Sequence, residues 1–211
     1  SISYTYSEPT IYFELMFETA KLAHEYGLKN NMVTNGYMSA EALDMMAPYL
    51  HGANVDLKAW SESFYKKYTG AKMKPVTETI RRMKEKGIWV EVTTLMIPGL
   101  NDDTEELKQL INFMLEVDEN MPWHVSRFYP QHEMNDRGPT KPGAIFDILD
   151  TARRMGLHYL YAGNVASDRY ADTHCPGCGA VLVQRSGYYT EILDLDGNTC
   201  ASCGQTIAGV F

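Results

Sequence analysis

The chain has 211 residues, 45% of them hydrophobic and 22% charged, with a formal net charge of -8. That is the composition of a globular protein of one or two domains. The acidic balance argues against nonspecific nucleic-acid binding, which relies on clustered Lys and Arg. No apolar run approaches the ~20 residues of a membrane span, and the opening SISYTYSEPT lacks the basic and apolar regions of a secretory signal. The chain begins without Met in a β-rich segment, which reads as a fragment or a processed product.

Strand-like and helix-like segments then alternate. The first strand ends in Tyr4-Thr5-Tyr6-Ser7-Glu8-Pro9, and Ile11, Leu15, Leu22 and Tyr26 follow at a spacing near 3.6. A second strand ends in Thr34-Asn35-Gly36, and NVDLKAW near 54–60 is a third. Val76, Ile80 and Met83 mark a helix, and a fourth strand runs to Thr93 and Thr94. The turn PGLNDD leads into a helix over about 103–118, and WHVSRFYP at 123–130 is the fifth strand. A last helix carries Ile145, Leu149, Ala152 and Met155 ahead of a strand near 164. Gly27, Gly87 and Gly156 stand where a helix C-terminus needs a left-handed residue. The Met-rich stretches with Met45, Met46 and Met96 read as core. Five or six strands with intervening helices predict a parallel α/β sheet, too few for a closed eight-stranded barrel but enough for most of an open one.

After residue 170 the helical periodicity stops, so the chain divides into an α/β part (1–170) and a small module (171–211). The module reads as a CxxC turn, a strand (180–185), a hairpin at Ser186-Gly187, a second strand (188–195), Asp196-Gly197 and a second CxxC turn. All four cysteines of the chain lie here: Cys175, Cys178, Cys200 and Cys203. The spacing is close to that of a zinc ribbon, and four thiolates suit a closed tetrahedral structural zinc site. Two disulfides, four free thiols, iron, or an auxiliary iron–sulfur cluster are the alternatives. Thiolate ligands also imply a reducing, cytoplasmic setting. His174 adjoins the first Cys and is a bystander where four thiols are available.

In parallel α/β sheets, ligands bind at the carboxyl ends of the strands. The strand ends here offer Glu8; Thr34 and Asn35; Asp56 and Lys58; and Ser126, Arg127, Phe128 and Tyr129. Glu8 suits an ammonium group, Lys58 or Arg127 a carboxylate, and the aromatics a purine face. Each has a plainer reading. Glu8-Pro9-Thr10 also starts a helix, Asp56 and Lys58 also make an internal ion pair, and Thr34-Asn35-Gly36 is also a plain turn.

Taken together the segments resemble a family. YTYSEPT resembles the variant Gly-Gly-Glu motif of radical S-adenosylmethionine (SAM) enzymes. VTNG, VDLKAW, LMIPGLNDD and SRFYP are similar, in order, to strand ends of pyruvate formate-lyase-activating-type enzymes, and CPGCG…CASCG…IAGVF resembles the tail of the AmmeMemoRadiSam-system branch. The resemblance implies a partial, open, TIM-like radical SAM barrel lacking its first strand, followed by a zinc ribbon. It implies that Glu8 meets the SAM ammonium, that Thr34, Asn35, Asp56 and Lys58 line the SAM pocket, and that Ser126, Phe128 and Tyr129 lie near the adenosine. Activating enzymes often carry Asp before Thr-Asn-Gly, where this chain has Val33.

The family's [4Fe-4S] cluster sits on a CxxxCxxC loop upstream of the Glu motif, and this sequence contains no CxxxCxxC. The expectation is therefore a chain whose parent carries the cluster, cleaves SAM reductively to a 5′-deoxyadenosyl radical for hydrogen abstraction, and has a protein substrate or an electron-donor protein as partner. The fragment alone is expected to be inactive. The alternative is a non-catalytic, degenerate barrel and ribbon serving as an interaction scaffold.

Overall fold

The structure is a computed structural model that describes residues 1–166 and 169–211. It contains six parallel strands that follow one another in the sheet in chain order: β1 (Ile2–Tyr4), β2 (Asn30–Thr34), β3 (Gly52–Asp56), β4 (Trp89–Met96), β5 (Trp123–Arg127) and β6 (Leu160–Gly163). The chain forms two compact units, residues 1–94 and 95–211.

In the first unit β1 pairs with β2, β2 with β3 and β3 with β4, all parallel. Alternation sets the two faces of the sheet. Ala53, Val55, Val90 and Val92 are buried, while Asn54, Asp56, Glu91 and Thr93 are half-buried on the opposite face. Helices α1 (Phe13–Glu25), α2 (Ala40–Met46) and α4 (Met73–Glu85) accompany the strands, with a short α3 (Glu62–Phe64) continuing into a π-helical turn, Tyr65–Thr69. The apolar stripe of α4 is buried as its spacing predicts, through Val76, Ile80 and Met83.

The stripe of α1 is not. Ile11, Leu15, Leu22 and Tyr26 are 74%, 68%, 54% and 76% exposed, and the helix buries Met16, Ala20 and Ala23 instead. Small side chains let the α1 backbone lie close to the strands, so the face with less apolar bulk is the one inside. Met46 and Met96 are core, but Met45 is half-exposed on the outer side of α2.

In the second unit, α5 (Thr104–Val117) is capped by Asp103, whose carboxylate accepts from the backbone N–H groups of Glu105 and Glu106. It packs with α6 (Pro142–Met155), which begins on Pro142 and ends in the left-handed Gly156. Strands β5 and β6 pair in parallel and bury Trp123 and Val125.

The C-terminal segment adds a three-stranded antiparallel sheet, β7 (Thr173–His174), β8 (Val181–Ser186) and β9 (Tyr189–Ile192), and a two-stranded ribbon, β10 (Leu195–Asp196) with β11 (Thr199–Cys200). The hairpin turns at Gly187, as the sequence indicates. Cys175, Leu182, Cys200 and Ile207 form a small core with Tyr159, a residue from the segment between α6 and β6. Among the described residues, no helix is long and apolar enough to cross a membrane.

Candidate functional site

At the carboxyl end of β1, Glu8 caps the 3-10 turn Pro9–Tyr12: its Oε1 accepts from Thr10 N at 3.2 Å and Thr10 Oγ1 at 3.0 Å. The same carboxylate reaches the end of β2. Oε1 accepts from Thr34 Oγ1 at 2.7 Å and Oε2 from Asn35 N at 2.7 Å. The cap reading of Glu8 is therefore correct and incomplete, because the side chain also straps two strand ends together. Hydrogen bonds to an ionised acceptor are among the stronger ones. An ionised carboxylate offers about four acceptor sites, so Oε1, with three donors, is saturated while Oε2 keeps room for another.

The turn after β2 supports this strap. Thr34 is buried, its Oγ1 also accepts from Gly36 N at 3.1 Å, and Asn35 Oδ1 accepts from Tyr37 N at 2.8 Å. Gly36 has a φ of +70°, and a Cβ there would meet Val55 Cγ1 at 2.7 Å and Val76 Cγ1 at 3.0 Å. Only glycine suits both the conformation and the space.

At the end of β3, Asp56 and Lys58 form the ion pair that their same-side placement suggests, Nζ to Oδ2 at 2.9 Å, with both side chains partly exposed. Lys58 N donates to the hydroxyl of Tyr65 at 3.1 Å. Tyr65 lies in the π-helical turn, and burial pushes its phenol up to about 12, so it remains a neutral hydroxyl. Tyr65 has no sequence signature as a site residue. Nor do Asn54 and Glu91 on the strand face itself: Thr93, a strand-end residue in the sequence, donates from Oγ1 to Asn54 Oδ1 at 2.8 Å, and Trp89 Nε1 donates to Glu91 Oε1 at 3.1 Å. The period-2 pattern of polar residues along β3 and β4 is the signal that marks this row, since strands covered on both faces are apolar throughout.

In the second unit, Arg127 Nε donates to Thr140 O at 2.8 Å and Nη1 to the Tyr129 hydroxyl at 2.8 Å, with the guanidinium 4.6 Å from the Tyr129 ring centroid. Phe128 is buried, and its N donates to Thr140 Oγ1 at 3.1 Å. Ser126 sits opposite Gly163, where any Cβ would collide with its Oγ. His124 stacks on Tyr161, with centroids 4.9 Å apart.

The four cysteines converge. Cys175 and Cys203 sulfurs are 3.6 Å apart, Cys178 and Cys200 sulfurs 3.7 Å, and all four lie within 4.8 Å of one another. With metal–sulfur bonds of ~2.3 Å, a tetrahedral ion places its sulfurs ~3.8 Å apart, so the group fits one metal ion. A four-iron cube needs its ligand sulfurs splayed wider than that. The Cys175 thiol is brought down to about 7, because amides of Cys178 and Gly177 and the neighbouring sulfurs outweigh the opposing effect of its burial. Burial pushes Cys200 up to about 12. An ion entering the site must therefore displace protons. His174 turns away, its Nδ1 lying 3.3 Å from Gly179 O.

Residues 1–113 match the family model described as Radical SAM superfamily. The uncharacterized protein MJ0808 of Methanocaldococcus jannaschii is 40% identical over 98% of this chain, which spans 62% of that protein's length. In structure, the chain is similar to a domain of pyruvate-formate lyase-activating enzyme from Bacteroides vulgatus (TM-score 0.66, 16% identity, 77% of this chain and 98% of that one). It is also similar to Streptococcus suis SuiB bound to S-adenosylmethionine (TM-score 0.61, 12% identity, 75% of this chain and 38% of that one). With its parallel six-stranded sheet and a family match that covers more than half its residues, the chain belongs to the radical SAM superfamily.

Proposed function

We propose that this chain is the SAM-binding part of a radical SAM enzyme of the AmmeMemoRadiSam type, stabilised by a zinc-bound C-terminal module over residues 171–211. The observation that carries the reading is the Glu8 strap. Its carboxylate stands at the carboxyl ends of β1 and β2, and the acceptor site left on Oε2 suits the ammonium of an amino-acid moiety. Thr34 and Asn35 hold that carboxylate in place. Asp56 and Lys58 supply a second polar pair, whose ammonium suits a carboxylate. In the second unit, Ser126, Phe128 and Tyr129 are the adenosine-facing candidates, with Arg127 stacked on Tyr129.

The superfamily draws an electron for SAM cleavage from a [4Fe-4S] cluster, and the residues of this chain do not fit that cluster. Its four cysteines are spaced for a single ion and saturate it, leaving no iron position open to SAM. The reductive step therefore belongs to the whole protein, with cluster ligands supplied from outside these 211 residues. The relative has more than a third of its length outside the match. A protein that gives up the hydrogen atom, or an electron-donor protein, is the partner this chemistry suggests, in a reducing, cytoplasmic compartment that keeps the thiols available.

The test is anaerobic reconstitution of the whole protein with iron and sulfide. The expected result is SAM-dependent release of 5′-deoxyadenosine, reduced at least tenfold by Glu8→Ala. No product from protein with a confirmed cluster would refute catalysis and favour the scaffold reading. Metal analysis is expected to give about one zinc per chain in addition to the cluster iron.

A further inference from the structure

The three-stranded antiparallel sheet of the C-terminal segment has two edges of unlike character. On one side β7 is two residues long, and its register shifts between Thr173 and His174. Short, irregular edges of this kind resist further pairing. On the other side β9 pairs with β8, and no described strand lies beyond it. All four of its residues, Tyr189 to Ile192, are exposed, and none is a Lys or Pro that would blunt the edge. Tyr188, in the turn before it, is fully exposed.

The backbone fixes which groups this open edge offers. Ser186 and Tyr189 flank a two-residue turn, so theirs is a hydrogen-bonded pair, and bonded and non-bonded pairs alternate from there along the ladder. Tyr189 and Glu191 therefore direct their N–H and C=O groups to β8, as Leu193 does, its N–H donating to Leu182 O at 2.9 Å. Thr190 and Ile192 direct theirs outward. We propose that this edge pairs antiparallel with β9 of a second copy of the chain, about a two-fold axis at Thr190, so that the two C-terminal sheets become one.

The strand itself selects both the occupant and the register. Opposed residues of an antiparallel pair share a face while side chains alternate along each strand, so a two-fold pairing centres on a residue. Centring on Glu191 sets one carboxylate against another, which is unfavourable. Centring on Ile192 runs the pair beyond the end of β9 to Asp194, whose carbonyl already accepts from Ala201 N at 3.1 Å. Centring on Tyr189 carries Ile192 past the hairpin turn of the other copy. Centring on Thr190 matches outward groups with outward groups, places Tyr188 opposite Ile192 and Tyr189 opposite Glu191, and opposes no like charges directly. At roughly 150–250 Å² per aromatic side chain, the four tyrosines of such a pair supply at most ~600–1,000 Å². That is the low end of specific interfaces, so the dimer is a weak one whose population follows concentration. The pairing stands apart from the SAM-binding reading and does not depend on it.

Sedimentation equilibrium and amide exchange of the whole, metal-loaded protein, at low and at high micromolar concentration, test it. The expected result is a monomer–dimer equilibrium, with exchange at the Thr190 and Ile192 amides at least tenfold slower at the high concentration. Thr190→Pro removes the central N–H, which an edge strand tolerates, and is expected to give monomer with circular dichroism and metal content unchanged. Tyr188→Ser/Ile192→Ser keeps every backbone group and is expected to weaken association at least tenfold, which decides the matter should the proline disturb the hairpin. Monomer at every concentration overturns the proposal, as does a dimer that both variants leave intact. Thr190 protection that is independent of concentration overturns it too, because it marks another segment of the whole protein as the occupant.

Discussion

Gly36→Ala tests the turn that carries the candidate site. The substitution forces a Cβ into a left-handed backbone, at a cost of roughly 1–2 kcal/mol. It also drives that carbon to 2.7 Å from Val55 Cγ1 and 3.0 Å from Val76 Cγ1. Val55 is in β3 and Val76 in α4, both buried, so neither methyl moves without disturbing the core, and overpacking of this kind typically costs about 1–3 kcal/mol. The sum is a loss of roughly 2–5 kcal/mol. Gly70→Ala is the matched control. Its φ is +67°, and a Cβ there has nothing within 4 Å, so it should show the backbone part alone. Urea denaturation of both variants, followed by circular dichroism, measures the difference. Losses equal to within about 0.5 kcal/mol would refute the packing argument, because they would leave nothing for the two valines to explain.

Glu8→Gln keeps the shape of the strap but weakens an acceptor that holds Thr34 Oγ1 and Asn35 N. Stability should fall by about 1–2 kcal/mol, and SAM affinity in the whole protein by at least tenfold; unchanged binding would remove Glu8 from the site. Cys200→Ser should abolish stoichiometric metal and loosen the module, read as faster proteolysis within 171–211, whereas the same variant with full metal content would contradict a four-thiolate site. Metal affinity should rise with pH as thiol protons leave, measured by competition with a chromophoric chelator at several pH values. The Tyr170 hydroxyl, helped by the Arg169 guanidinium, holds Asp150 below the usual carboxylate range. Its contribution is therefore present above a pH of about 4 and is lost as the pH falls through the depressed folded value. Asp150→Asn should lower stability near neutrality and flatten the acid limb of the stability–pH profile, so that the two proteins converge at low pH.

Much of the fold is legible in the sequence because its elements repeat with clear periods. The helix expected near 103–118 is α5, the strand at 123–130 begins with β5, and the glycines at 27, 87 and 156 all take positive φ after helices. The cysteine cluster is legible because two CxxC turns dictate proximity. The direction of α1 is not. It carries two apolar faces, and nothing local says that the one with Ala20 and Ala23 lies on the strands while Leu15 and Leu22 stay outside. Glu8 has a similar ambiguity, because a cap and a strap use the same atoms and only the tertiary fold brings Thr34 and Asn35 to it. Asn54 and Glu91 carry no strand-end signal, and only the pleat shows that they share a half-buried face with Thr93.

The Tyr159 side chain joins the cysteine core, and its hydroxyl accepts from Ala208 N at 3.3 Å, while its backbone carbonyl accepts from Trp123 N at 2.9 Å. One residue thus touches the four-cysteine segment with its ring and β5 with its main chain. On the reading proposed above, an ion held by the four thiolates would therefore also steady the chain where it enters β6. Excising 171–211 as a portable cassette would leave this aromatic plug behind, so a transplantable version of the module has to begin upstream of Tyr159.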